Sequence, residues 1–186
     1  DDVNWLLCIH NIPPKPAYLR AKAARRLAAL GAVALKNAVY VLPEGERQRD
    51  GLTWLAREIE DGGGRAYVCG ARFDVAGGGI DDGNIKKLFV EAREGDYRDL
   101  GAEFMPLFEG LGDPHAADAP HTPDVQAWVN QLRTRYEAVR AIDYFGAPAR
   151  ESVEGILAGA GRWLRMNVLA AKPDDATIDP GLYQGR

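Results

Sequence analysis

Basic side chains that could bind phosphate are concentrated near the start of the chain. Residues 15–36 include six Lys or Arg residues and no acidic residue. Lys22, Arg25 and Arg26 are spaced so that they share one face of a helix. Several cations on one rigid element favour nucleic-acid contact, because each neutralised phosphate releases counterions. A solvated surface, or ion pairs with acidic residues, would explain the same pattern. The candidate DNA-binding residues are Arg20, Lys22, Arg25, Arg26 and Lys36.

A second group of residues could bind a soft metal. Cys8 and His10 lie two positions apart on a predicted strand and therefore share one face of a sheet. If the first and last strands are neighbours, Cys69 comes close to Cys8, and a thiol–imidazole–thiol site becomes possible. The favoured alternative is two cysteines packed as small apolar side chains beside a hydrogen-bonded histidine, because no fourth ligand is evident. We expect no metal and no cofactor.

The remaining residues offer little to a catalytic mechanism. Ser152 is the only serine, and no His/Asp set flanks it. His115 and His121 fall in a loop at a spacing that matches no strong metal template. The glycine runs at 62–64 and 77–79 lack the Lys-Ser/Thr of a phosphate-binding P-loop. We therefore expect that the protein is not an enzyme.

Composition and charge limit the class of protein. The chain has 186 residues, 46% hydrophobic and 27% charged, with a net charge of −4, which is typical of one globular domain with room for an extension. It has two cysteines and no apolar run long enough for a membrane span or a signal peptide. This predicts a cytoplasmic protein that does not act at a membrane. Residues 1–73 carry 11 basic against 8 acidic side chains, whereas residues 74–186 carry 12 against 19.

Hydrophobic periodicity predicts a mixed first part. Strands are expected at residues 4–12 and 65–73, and either two short strands or one bent strand between residues 32 and 42. Helices are expected at residues 16–30 and 47–61, each followed by glycine. The order β-α-β-β-α-β predicts an α+β fold with a ferredoxin-like unit.

The second part is predicted to be helical. Residues 82–109 form a helix interrupted at Gly95, another helix begins at Thr122 and ends at Gly146, and a third covers about 150–170. The last two should pair as a helical hairpin. The predicted division is a ferredoxin-like domain at 1–75, a helical extension at 80–172, and a linker at 173–186.

Five blocks of the sequence carry a family resemblance when they are taken together: residues 18–43, 54–55, 58–59, 68–73 and 140–148. They resemble the N-terminal domain of the chromate-resistance protein ChrB. The resemblance implies a chromate-responsive regulator of a chromate-efflux operon, whose basic N-terminal domain binds promoter DNA. It also implies a separate C-terminal domain that senses the oxyanion. Residues 179–186 look like the lead-in to that domain, which we expect this chain to lack.

More distant resemblances bear on the chemistry. The segment that contains the first helix is similar to the central domain of PaaX-type repressors. It is also similar to the small ferredoxin-like endoribonuclease of CRISPR adaptation, where an Asp at the end of the first strand helps to bind metal. Here that strand ends in His10-Asn11-Ile12, which argues against nuclease chemistry.

Three hypotheses follow from the sequence. The first is a DNA-binding regulatory module that acts through the basic helix. The second is an interaction module, which forms a homodimer in which the net positive first part of one copy meets the net negative second part of the other. The third and weakest is a metal- or oxyanion-binding resistance protein that uses Cys8, His10 and Cys69.

Overall fold

The computed structural model describes residues 3–73 and 79–170, except for the side chains of 168–170. The fold is α+β, as predicted, and the described residues form a four-stranded antiparallel sheet and five helices. They fall into two compact units, one comprising 3–98 (without 74–78) and 137–150, and the other 99–136 and 151–170. The predicted linker at 173–186, and the predicted boundary near residue 75, lie outside the described residues.

The strands and helices follow one another along the chain in the order that hydrophobic periodicity predicts. Most boundaries agree with the predicted ones within three residues. The elements are β1 (Trp5–Asn11), α1 (Ala17–Ala29), β2 (Val33–Lys36), β3 (Val39–Pro43), α2 (Glu46–Asp61), β4 (Arg65–Ala71), α3 (Asp82–Glu109), α4 (Thr122–Arg140) and α5 (Arg150–Ala170).

The sheet has the strand order β2-β3-β1-β4, with every neighbouring pair antiparallel. β1 lies in the middle, and Trp5, Leu6 and Cys8 are fully buried. α1 and α2 contribute Leu19, Ala23 and Leu27, and Leu52, Leu55 and Ile59, to the same hydrophobic cluster. The turn between β2 and β3 contains Ala38 at φ 62°, a left-handed conformation that is uncommon for residues other than glycine.

Trp5 connects β1 to α3. Its ring stacks on Phe89 at a centroid distance of 5.8 Å, and Phe145 lies 6.0 Å away. The indole Nε1–H donates to Asp82 Oδ1 at 2.7 Å, and the Val3 amide donates to Oδ2 at 3.1 Å. Those two hydrogen bonds hold the pKa of Asp82 below its usual value. The first residue of α3 is thus attached to the start of β1.

α3 runs without interruption from Asp82 to Glu109, so the predicted break at Gly95 is wrong. A glycine inside a helix costs only about 1 kcal/mol relative to alanine. Ion pairs on the same helix lie beside it, Arg93 with Asp96 at 2.8 Å and Arg98 with Glu94 at 3.1 Å. Together with the buried side chains of α3, these pairs offset the cost of the glycine.

α4 ends at Arg140 and not at Gly146 as predicted. Asp143 turns the chain, because its Oδ1 accepts hydrogen bonds from the amides of Gly146 and Ala147, both at 3.0 Å. The Tyr144 hydroxyl donates to the carbonyl of Leu30 at 2.6 Å. The stretch 137–150 therefore belongs to the first unit.

In the second unit, α4 and α5 share a hydrophobic cluster. It contains Val125 and Val129 from α4, and Ala160, Trp163 and Leu164 from α5. No described helix combines the length and the apolar character that a membrane span requires.

Candidate nucleic-acid interface

The basic residues of α1 occupy three different sides of the helix. Leu19, Ala23 and Leu27 form its buried stripe, and α1 contains no acidic residue. At about 3.6 residues per turn, Lys22 and Arg26 lie on the side that faces α2. Arg20 lies on the opposite flank, and Arg25 points away from the core. The predicted set is therefore divided by the helix geometry.

Lys22 and Arg26 both lie over Trp54 of α2. The Arg26 guanidinium carbon is 3.6 Å from the centroid of the indole ring, and Lys22 Nζ is 5.7 Å away. Lys22 Nζ also pairs with Glu58 Oε1 at 2.7 Å. The ion pair with acidic residues that the sequence left open thus exists for Lys22. Stacking on the Trp54 ring restricts the orientation of the Arg26 guanidinium group. The N–H groups at the edge of the guanidinium remain available to an anion.

Arg25 and Tyr18 extend the same surface outward. Tyr18 is 65% exposed and Trp54 43% exposed, and the structure shows no ion pair or hydrogen bond to the side chain of Arg25 among the residues it describes. We call Tyr18, Lys22, Arg25, Arg26 and Trp54 the α1–α2 surface. Two cations, Arg25 and Arg26, are not neutralised there by a described carboxylate, so this surface can accept phosphate.

Arg20 and Lys36 lie away from the α1–α2 surface. Arg20 Nη2 donates to the carbonyl of Ile12 at 3.2 Å and lines a cavity between α1 and the sheet. Lys36 is exposed at the end of β2, beside the turn that contains Ala38. The structure does not place either residue with Arg25.

The first and last strands are neighbours, as the metal hypothesis requires, but the two cysteines do not share a face of the sheet. In the sheet, Cys8 lies opposite Val68, and Cys69 lies opposite Leu7, so the two side chains belong to opposite faces. Cys8 is buried, and burial raises the pKa of its thiol to about 11, whereas Cys69 is exposed. Among the described residues there is no group of three or more side chains that could hold a metal ion.

His10 lies on the same face as Cys8 but faces the cavity. Its ring stacks on Tyr40 at a centroid distance of 5.5 Å and an interplanar angle of 18°. Nδ1 is buried without a hydrogen-bond partner among the described residues, and burial lowers the pKa of the imidazole. The sequence interpretation of a hydrogen-bonded histidine does not hold for this nitrogen.

The aromatic part of the α1–α2 surface is not among the sites predicted from the sequence. The available signal was the position of Trp54 outside the stripe Leu52, Leu55 and Ile59 and four residues before Glu58, a spacing that places Trp54 and Glu58 on one side of α2.

One comparison with known proteins found a similarity over part of the chain. Residues 20–108 match the family model described as "Protein ChrB, N-terminal", which confirms the resemblance seen in the sequence over that range. The match includes all five predicted DNA-binding residues and Trp54, and it ends within α3. No curated protein and no solved structure matched the chain.

Proposed function

We propose, from the match of residues 20–108 to the ChrB N-terminal family model, that this chain is the N-terminal regulatory region of a chromate-resistance regulator. It contacts promoter DNA of a chromate-efflux operon through α1, and the contact involves no catalytic step. The family resemblance assigns oxyanion sensing to a separate C-terminal domain.

The observation that carries the proposal is the exposed, acid-free side of α1. Arg25 has no described ion-pair partner, and Arg26 is held flat against Trp54 at 3.6 Å. A guanidinium held in one orientation loses less side-chain entropy when it binds a phosphate bidentately. Lys22 contributes less, because Glu58 already neutralises it at 2.7 Å.

The strand arrangement supports a ferredoxin-like fold for residues 5–71. The order β2-β3-β1-β4 is antiparallel throughout, and α1 and α2 share one cluster with the sheet. In such a fold the helices form one outer layer, so α1 can approach a DNA backbone without disturbing the sheet.

The experiment measures binding to the operon's own promoter fragment and to a scrambled fragment of equal length, over a series of salt concentrations. We expect Arg25→Ala combined with Arg26→Ala to weaken binding to both fragments. The slope of log K against log salt should fall by about 2, since each lost phosphate contact removes roughly 0.9. The control is Lys87→Ala combined with Arg133→Ala, which removes the same charge from exposed positions elsewhere.

Unchanged affinity in the Arg25/Arg26 variant, or equal losses in both variants, would contradict the proposal. The alternative, an interaction module, predicts a different result. It expects no DNA binding, and a homodimer that dissociates as salt rises, because oppositely charged parts would hold the two copies together.

A further inference from the structure

The cavity beside Arg20 has the composition of an anion-binding site. It lies between α1 and the β1–β3 end of the sheet and has a volume of about 570 Å³, within the usual range for small-molecule sites. No described residue that lines it is acidic, and its polar side chains are His10, Asn11, Arg20, Asn37 and Tyr40.

Arg20 supplies the positive charge. The hydrogen bond from Nη2 to the Ile12 carbonyl at 3.2 Å fixes the guanidinium at the cavity wall. A guanidinium carries five N–H donors, so several remain for a ligand. A cation held this way, with no carboxylate in the lining, leaves a local positive charge without a counterion in the cavity.

His10 supplies a second polar group. Its ring lines the cavity. Nδ1 is buried and has no hydrogen-bond partner among the described residues, which is costly for a polar atom, so a small turn of the ring toward a ligand would satisfy it. The His10 amide donates to the Ala38 carbonyl at 3.0 Å, which holds the β2–β3 turn at the cavity rim. Ala38 adopts φ 62° there, and unfavourable backbone conformations of this kind are concentrated at functional sites.

The opposite wall is apolar. Ala23, Ala24 and Leu27 of α1 line the cavity together with Ile12, and the two alanines leave room that larger side chains would fill. A ligand in this cavity would thus place an anionic group near Arg20 and His10 and an apolar body against α1.

We infer that this cavity binds a phosphate group, either of a small organic phosphate or of a nucleic-acid backbone, with Arg20 and His10 as its polar contacts. Arg20 then serves a site of its own and does not act together with Arg25 and Arg26. The inference does not depend on the proposed DNA contact through the α1–α2 surface.

The experiment follows the imidazole signals of His10 by NMR during titration of the whole chain. The probes are phenyl phosphate, inorganic phosphate, and sodium chloride at matched ionic strength. We expect the phosphates to shift the His10 signals beyond the chloride control, with phenyl phosphate binding more tightly because it also buries an apolar ring. A short DNA duplex forms a fourth arm. A shift with the duplex alone would assign the phosphate to a nucleic-acid backbone.

Two variants test the contacts. Arg20→Gln should weaken phosphate binding by roughly tenfold or more, since a charge-assisted hydrogen bond is lost. Arg133→Gln, at an exposed position of α4 outside both proposed sites, is the control and should leave phosphate binding unchanged. Arg20→Lys keeps the positive charge but loses the paired N–H donors of the guanidinium group. Its phosphate affinity should lie between those of the original chain and Arg20→Gln. If Arg20→Gln unfolds the protein, Asn37→Ala tests the same wall without loss of the Ile12 hydrogen bond.

The inference is overturned if no phosphate source shifts the His10 signals beyond chloride. It is also overturned if Arg20→Gln and Arg133→Gln lose equal affinity. Phosphate binding that survives in the Arg25/Arg26 double variant, which loses DNA affinity, would show that the two sites are separate.

Discussion

Arg93 shows how a single charged residue can belong to the core. Only 7% of its surface is exposed, and Nε pairs with Asp96 at 2.8 Å while Nη1 donates to the Ile142 carbonyl at 3.4 Å. Asp96 itself keeps 41% of its side-chain surface exposed, so water still solvates the carboxylate. The guanidinium therefore connects α3 to the turn after α4 without burying both charges.

Replacement of Arg93 tests this role. We expect Arg93→Ala to lower the free energy of unfolding by about 1–3 kcal/mol, because the partly buried Ile142 carbonyl loses its donor and the buried aliphatic stem loses its packing. Urea denaturation measures the change. The control is Arg98→Ala on the same helix. The Arg98 side chain is 72% exposed and pairs with Glu94, and the cost of its loss should stay below about 1 kcal/mol. Equal losses in the two variants would contradict the role given to Arg93.

The N-terminus of α3 shows how one element is attached to another. Asp82 accepts hydrogen bonds from the Trp5 indole and the Val3 amide, so the position of α3 depends on an ionised carboxylate. A negative charge in the first turn also interacts favourably with the helix dipole.

This attachment predicts a pH dependence. The folded-state pKa of Asp82 is lowered, so its contribution is present above the unfolded-state value of 3.8 and is lost as pH falls through the lower folded-state value. We expect Asp82→Asn to be less stable than the original chain at pH 7, with the difference shrinking below about pH 4. Chemical denaturation at both pH values measures it. A stability difference of the same size at pH 7 and pH 3 would show that the charge is not responsible.

The elements were largely predictable from the sequence, whereas the contacts between them were not. The stripe Leu19, Ala23 and Leu27 is a local pattern, and local patterns determine where α1 begins and ends. The opposition of Cys69 to Leu7 depends on strand register, which no pattern within β1 or β4 specifies. The stacking of Arg26 on Trp54 likewise depends on how two helices are placed side by side.

At the scale of the whole molecule, the first unit is assembled from distant parts of the chain. Tyr144 and Leu30 are 114 residues apart in sequence and are joined by a hydrogen bond of 2.6 Å. Gly31, at φ +73°, packs so closely that a Cβ there would lie 2.7 Å from the Cβ of Ile142. The turn after α4 therefore fits a surface that only glycine leaves open.

Gly31→Ala tests that fit. We expect it to lower the free energy of unfolding more than Gly63→Ala, by about 1–3 kcal/mol, because overpacking adds to the backbone strain. Gly63 is the matched control, since it has φ +87° and no atom within 4 Å of a Cβ. Thermal and urea unfolding of both variants measure the difference. Equal destabilisation would mean that the turn adapts to the added methyl group.

The return of residues 137–150 to the first unit has a consequence for biosynthesis. All four strands leave the ribosome before Tyr144 and Phe145 are made, and those two rings pack against Phe89 at 5.9 and 5.5 Å. During that interval the nascent sheet and the first half of α3 present an aromatic surface that its later partners have not yet covered. Translation speed between α3 and the turn after α4 thus sets how long this surface is open to chaperones or to other nascent chains.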